Sequence, residues 1–147
     1  LIPISIRLDL AISLDRLIVT NFIDKVKDCE RSVALNLSRM SLYDDKFMHW
    51  FTQIMRKDEQ LRRQTILEIP ERALIQDIYR LRENTNELRE MGVRFTVEHF
   101  GAQLASITHL QLFLSYYSCS ILRDDSRISI DLVAIFIIYR SFQFSVS

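Results

Sequence analysis

Residues 66–71 read Ile66-Leu67-Glu68-Ile69-Pro70-Glu71. Three aliphatic side chains flank one carboxylate, and Pro70 closes the run. Such a run is too brief for a helix and suits a buried strand. Glu68 is the informative residue, because a carboxylate in an apolar strand is costly to bury unless it is paired or holds a cation. Two other runs repeat the pattern. Val33-Ala34-Leu35-Asn36-Leu37 lies upstream and Val93-Arg94-Phe95-Thr96-Val97-Glu98 downstream. Asn36 to Glu68 is 32 residues and Glu68 to Glu98 is 30. Side chains alternate along a strand, so Ala34/Asn36, Ile66/Glu68 and Thr96/Glu98 are expected on one face.

Helical spacing fills the intervals. A helix is expected from Leu14, with Ser13 as N-cap and Leu14, Leu17, Ile18, Phe22 and Val26 as its apolar stripe. Asp44 or Asp45 is expected to cap a second, with Phe47, Trp50, Phe51, Ile54 and Met55 packed inward. Pro70 suits the first turn of a third, whose stripe is Leu74, Ile78, Leu81, Leu88 and Met91, with Gly92 as a left-handed stop. A fourth is expected over about 103–114. Arg62-Arg63 beside Asp58 and Glu59 reads as a solvated turn. Strands alternating with helices predict an α/β fold, a parallel sheet with right-handed crossovers. Polar residues at equivalent strand ends point to one site at the mouth of a TIM-like (β/α) barrel. A complete barrel takes about 250 residues, so 147 residues with three such strands predict an incomplete one.

Composition narrows the function classes. Nineteen Lys+Arg balance nineteen Asp+Glu, so no bulk field draws nucleic acid, and none is expected as a partner. Only Gly92 and Gly101 are glycine, which excludes phosphate-cradling Gly-rich loops. Cys29 and Cys119 form no CxxC pair, so a reducing cytoplasm is the expected setting. The first residue is not Met, and the start reads as a cut. Residues 113–147 differ in texture, with seven of the fifteen aromatics but six of the thirty-eight charges. The expected division is therefore 1–112 for the strand–helix repeats and 113–147 for a diverged hydrophobic segment. Its run Leu132 to Tyr139 is far shorter than the roughly twenty residues of a membrane helix, so a strand or short buried helix is expected there.

Several of these stretches, in order, resemble the bacterial EAL domain family. Ile2-Pro3-Ile4 followed by Leu14-Asp15-Arg16 is similar to the family's FIPLAE…LDRWVL stretch. Val33-Ala34-Leu35-Asn36-Leu37-Ser38 resembles its vNlS strand, and Leu67-Glu68-Ile69-Pro70-Glu71 its lEiTE, with Pro70 where Thr is usual. Met91 through Gly101 is similar to lGvrfalDDFG. The resemblance, running from Leu1 to about Leu112, implies a TIM-like barrel that hydrolyses cyclic di-GMP to linear pGpG with Mg²⁺ or Mn²⁺. It implies Asn36, Glu68, Glu98 and His99 as the metal-binding positions, and Glu71 as the glutamate that steadies an active-site loop. Hard oxygen ligands suit those ions.

The departures from the family are chemical. The Glu-Ala-Leu signature belongs upstream of Leu1. Glu98-His99 stands for Asp-Asp, and His99 replaces an anionic oxygen with an imidazole that Mg²⁺ tolerates poorly. Gly101-Ala102-Gln103 replaces Gly-Thr-Gly, and no lysine follows Lys57, whereas the family places one against the attacking water. The abrupt change near 113 fits an altered reading frame or truncation, a hypothesis that the encoding DNA read in all frames would test. The expectation is a catalytically silent EAL module with weak or lost cyclic di-GMP binding, cytoplasmic, with flanking GGDEF or sensor domains or a homodimer as partners. The alternatives are a fragment of an active phosphodiesterase and a ligand-free interaction module.

Overall fold

The computed structural model describes residues 3–98, 109, 112 and 113. The chain divides into two units, Leu1–Leu110 and Gln111–Ser147. In the second, Leu112 and Phe113 are described, and both are helical.

Three strands form the sheet of the first unit: β1 (Val33–Asn36), β2 (Thr65–Pro70) and β3 (Arg94–Glu98). They lie in the order β1-β2-β3 and both pairings are parallel. The expected α/β architecture is therefore present, with each strand within a residue or so of its predicted span. A parallel return needs a crossover of about a dozen residues or more, usually helical, and helices occupy both crossovers here. α2 (Arg39–Leu42), α3 (Asp45–Lys57) and α4 (Glu59–Gln64) connect β1 to β2; α5 (Glu71–Gln76) and α6 (Ile78–Glu90) connect β2 to β3; α1 (Ile4–Lys27) precedes them all.

One face of the sheet makes the core. Leu35, Leu67, Ile69 and Phe95 are buried with Phe47, Phe51 and Met55 of α3 and Leu81 and Leu88 of α6. The alternate residues Ala34, Asn36 and Thr96 are exposed, and Ile66 and Glu68 are half-buried. Three strands with helices on one side and an open second side are what an arc of a (β/α) barrel looks like, the open side being the one that would face the barrel's interior.

Three helical expectations are corrected. The first helix begins at Ile4, after Pro3, rather than at Ser13. Nothing between residues 4 and 13 breaks a helix, and proline is well tolerated at a helix start. Its buried line is Asp15, Val19, Phe22 and Val26, whereas Leu14 and Leu17 are 56% and 57% exposed. The helix carries two apolar stripes, and packing selects the second. The region read as a solvated turn is α4: the Asp58 carboxylate accepts from Leu61 N at 2.9 Å, and Arg62 Nη1 donates to Met55 O and Arg56 O at 2.8 and 2.9 Å. The Arg62 bonds satisfy two carbonyls in the last turn of α3, and the Asp58 bond a free N–H at the start of α4. The third helix is two. Asp77 adopts φ −162°, ψ 91° and its side chain caps α6 by accepting from Arg80 N.

Asp44 caps α3 as expected, accepting from Phe47 N at 2.7 Å. Gly92 ends α6 as expected. Its φ is +87°, Gly92 N donates to Arg89 O at 2.9 Å and Val93 N to Leu88 O at 3.0 Å, a Schellman closure that delivers the chain directly into β3. The fourth expected helix is described only at His109, Leu112 and Phe113, all helical; the Leu132–Tyr139 run lies outside the described residues.

Leu67→Ala removes a fully buried side chain from the central strand and is expected to cost about 2–5 kcal/mol. Gly92→Ala leaves open space around the new methyl, so its cost is conformational, about 1–2 kcal/mol. Urea unfolding of the two variants checks both values.

Candidate functional site

The parallel register brings the first two predicted ligands together. Asn36 is the register partner of Glu68, and Glu68 of Thr96. Adjacent strands lie about 4.8 Å apart, so the amide of Asn36 and the carboxylate of Glu68 rise side by side from the open face. Asn36 is exposed and Glu68 half-buried, which relieves the burial cost that a carboxylate in a strand would otherwise carry. Glu98 is the last position of β3, in register with Pro70 and two residues beyond Thr96. His99 lies outside the described residues.

Glu71 is placed differently. It follows Pro70 at the first residue of α5 and is 4% exposed. The helix that it opens is held at Ala73 and Asp77 by Tyr43. The Tyr43 hydroxyl shares its proton between Ala73 O and Asp77 O, each at 2.7 Å, and accepts from Asp77 N at 3.1 Å. One phenol thus holds both sides of the α5–α6 break. Burial raises the Tyr43 pKa above its ordinary 10.0, opposed by the hydrogen bond to the Asp77 backbone. Arg80 adds a guanidinium 5.9 Å from the Tyr43 ring and donates to Tyr43 O at 3.1 Å.

A second anchor serves β1. Asp15 of α1, 5% exposed, accepts from Ser38 N at 2.8 Å. Ser38 in turn caps α2, its hydroxyl accepting from Ser41 N. Arg16 beside it lies 4.5 Å from the Trp50 ring centre and 5.8 Å from that of Phe47. Sequence alone gives Asp15 no role beyond its place in Leu14-Asp15-Arg16. The available signal was its place in line with Val19, Phe22 and Val26, a polar residue on a face that packs inward.

Asn36 and Glu68 offer the hard oxygen donors that Mg²⁺ or Mn²⁺ takes. They fit such an ion in kind. Among the described residues, no group of three or more His, Cys, Asp or Glu comes together in a way that could hold a metal. Also among them, no helix is long and apolar enough to cross a membrane.

The family model described as EAL domain matches residues 1–114. The chain belongs to the EAL domain family. Two solved structures of Vibrio cholerae LapD S helix-GGDEF-EAL, one apo and one bound to c-di-GMP, are similar to it. Each superposes with a TM-score of 0.67 at 20% identity, covering 73% of this chain and 27% of that one. At that identity the likeness concerns the fold, and the chain spans about a quarter of the LapD length. No curated protein matches the sequence. As an EAL-family member the chain has the TIM-like barrel as its parent architecture, and its three-stranded open sheet is one arc of it.

Tyr43→Phe removes the donor to the part-buried Ala73 O and the exposed Asp77 O and is expected to cost about 0.5–1.5 kcal/mol, the net worth of an ordinary hydrogen bond. A phenol whose pKa is raised by folding contributes stability that is whole below pH 10 and is lost as pH rises through the folded value. Base titration of unfolding is therefore expected to show a smaller alkaline loss in Tyr43→Phe than in the parent.

Proposed function

We propose that this chain is a module of cyclic di-GMP signalling that does not itself hydrolyse the nucleotide. The observation that carries the reading is the pairing of Asn36 with Glu68 on the uncovered face of a parallel sheet in an EAL-family chain. These two residues and Glu98 are the proposed metal-binding positions, with His99 added by the family resemblance alone. Glu71, held at the start of α5, steadies the loop above it. A bound Mg²⁺ or Mn²⁺ supplies Lewis-acid stabilisation of charge on a phosphodiester. Asn36 and Glu68 would hold that ion through their side-chain oxygens.

The silent reading is supported by the chemistry of the remaining positions. His99 offers an imidazole where an anionic oxygen is wanted, and hard Mg²⁺ discriminates against that exchange. No lysine follows Lys57, so none serves the attacking water in this chain. The open sheet face presents one part of a barrel mouth, and a nucleotide with two guanines and two phosphates needs contacts from both halves. Residues 1–112 act as the EAL-like part and 113–147 as a separate apolar segment. The setting is cytoplasmic, with a GGDEF or sensor domain, or a second copy, as the natural neighbour. The S helix-GGDEF-EAL arrangement of LapD supports that expectation.

Incubation with cyclic di-GMP and Mn²⁺ is expected to yield no linear pGpG by anion-exchange chromatography; turnover overturns the silent reading. Calorimetric titration is expected to show binding weaker than micromolar. At millimolar nucleotide, NMR shifts are expected at the Asn36 and Glu68 amides and to vanish in the double variant Asn36→Ala/Glu68→Gln. Shifts confined to other elements argue for a ligand-free interaction module instead.

A further inference from the structure

We infer that Asp15 is a positioning residue for Asn36, acting through the Ser38 backbone; this rests on the reading of Asn36 and Glu68 as metal ligands. The ladder between β1 and β2 ends at the Asn36–Glu68 pair. Beyond it the β1 backbone has no sheet partner among the described residues, and Ser38 N is instead taken by the carboxylate of Asp15. The carboxylate accepts from Ser38 N at 2.8 Å, from a helix 23 residues earlier in the chain, and is itself buried. Leu37, between the two, is buried with the core. Asn36 is therefore fixed from below by the sheet and from above by a charge-assisted hydrogen bond, the stronger kind.

The geometry explains why an acid stands on an otherwise apolar line. On the helix line Asp15, Val19, Phe22 and Val26, an aliphatic residue at 15 would leave Ser38 N without this partner. Ser38 also begins α2 by capping it, and its hydroxyl reaches Ser41 Oγ at 3.4 Å. A single acceptor thus locks the strand end and the helix start together. Groups that orient a metal ligand without touching the metal typically alter affinity by about 10–100-fold when removed. Asp15 acts in the same manner at one bond further out.

The test uses the full chain and Mn²⁺ alone as probe, with free Mn²⁺ read by electron paramagnetic resonance well below the unfolding temperature. Asp15→Ala is expected to weaken Mn²⁺ binding about 10-fold. Asp15→Asn, which keeps an acceptor oxygen, is expected to restore most of the loss. Val19→Ala, a packing deletion on the same helix face, is expected to leave Mn²⁺ affinity unchanged. A second pair guards against misfolding. Ser38→Pro deletes the donated N–H at a backbone φ of −65° that proline adopts readily, while Ser38→Ala loses only the cap. Weaker Mn²⁺ binding in Ser38→Pro than in Ser38→Ala supports the inference. Equal affinity within both pairs, Asp15→Ala with Val19→Ala and Ser38→Pro with Ser38→Ala, overturns it while leaving the site reading intact. No Mn²⁺ binding by the parent chain overturns the site reading and the inference with it.

Discussion

The register of β2 against its two neighbours is the constraint on which the rest depends. Leu67 faces the core between Leu35 and Phe95, and by the two-residue period of a strand Glu68 is then committed to the opposite face, beside Asn36. A slip of one residue would bury the carboxylate and expose the leucine. Both errors are costly, so the core enforces the geometry of the rim. The hydrophobic packing and the placement of the polar residues are thus one choice made twice.

The strands were legible because the polar residue in each run is conspicuous against its neighbours. Asn36 and Glu68 stand alone among aliphatics, and their spacing across successive runs reflects one helical crossover per strand. Glu71 was legible only through its family resemblance, since a glutamate after a proline ordinarily marks nothing more than a helix start. The helices were harder where two answers share one sequence. α1 has Leu10, Leu14 and Leu17 on one side and Val19, Phe22 and Val26 on another. Both have helical spacing, and periodicity does not rank them. What decides is tertiary: Asp15 reaches Ser38 N, Arg16 stacks on Trp50, and these fix which side turns inward.

The break between α5 and α6 has the same origin. No glycine or proline marks it, and Asp77 reads equally well as a helix-interior residue. The cause lies 34 residues away, in the Tyr43 hydroxyl that binds the backbone on both sides of the break. The α4 turn was missed for a simpler reason. Charged residues dominate it, and Asp58, Arg62 and Arg63 were credited to solvent. Two of the three instead satisfy backbone groups at the junction of α3 and α4.

The strand ends do not finish level within the sheet. β1 stops opposite Glu68, while β3 runs on two residues past Thr96 to Glu98. In an eight-stranded barrel of shear eight, tilt raises the pairing by about one residue for every strand crossed. Two strand-to-strand steps lead from position 36 to position 98, so a climb of two residues matches the pitch of such a cylinder. Wrapped around such an axis the staircase would flatten, and the first and last of these positions would share a common height.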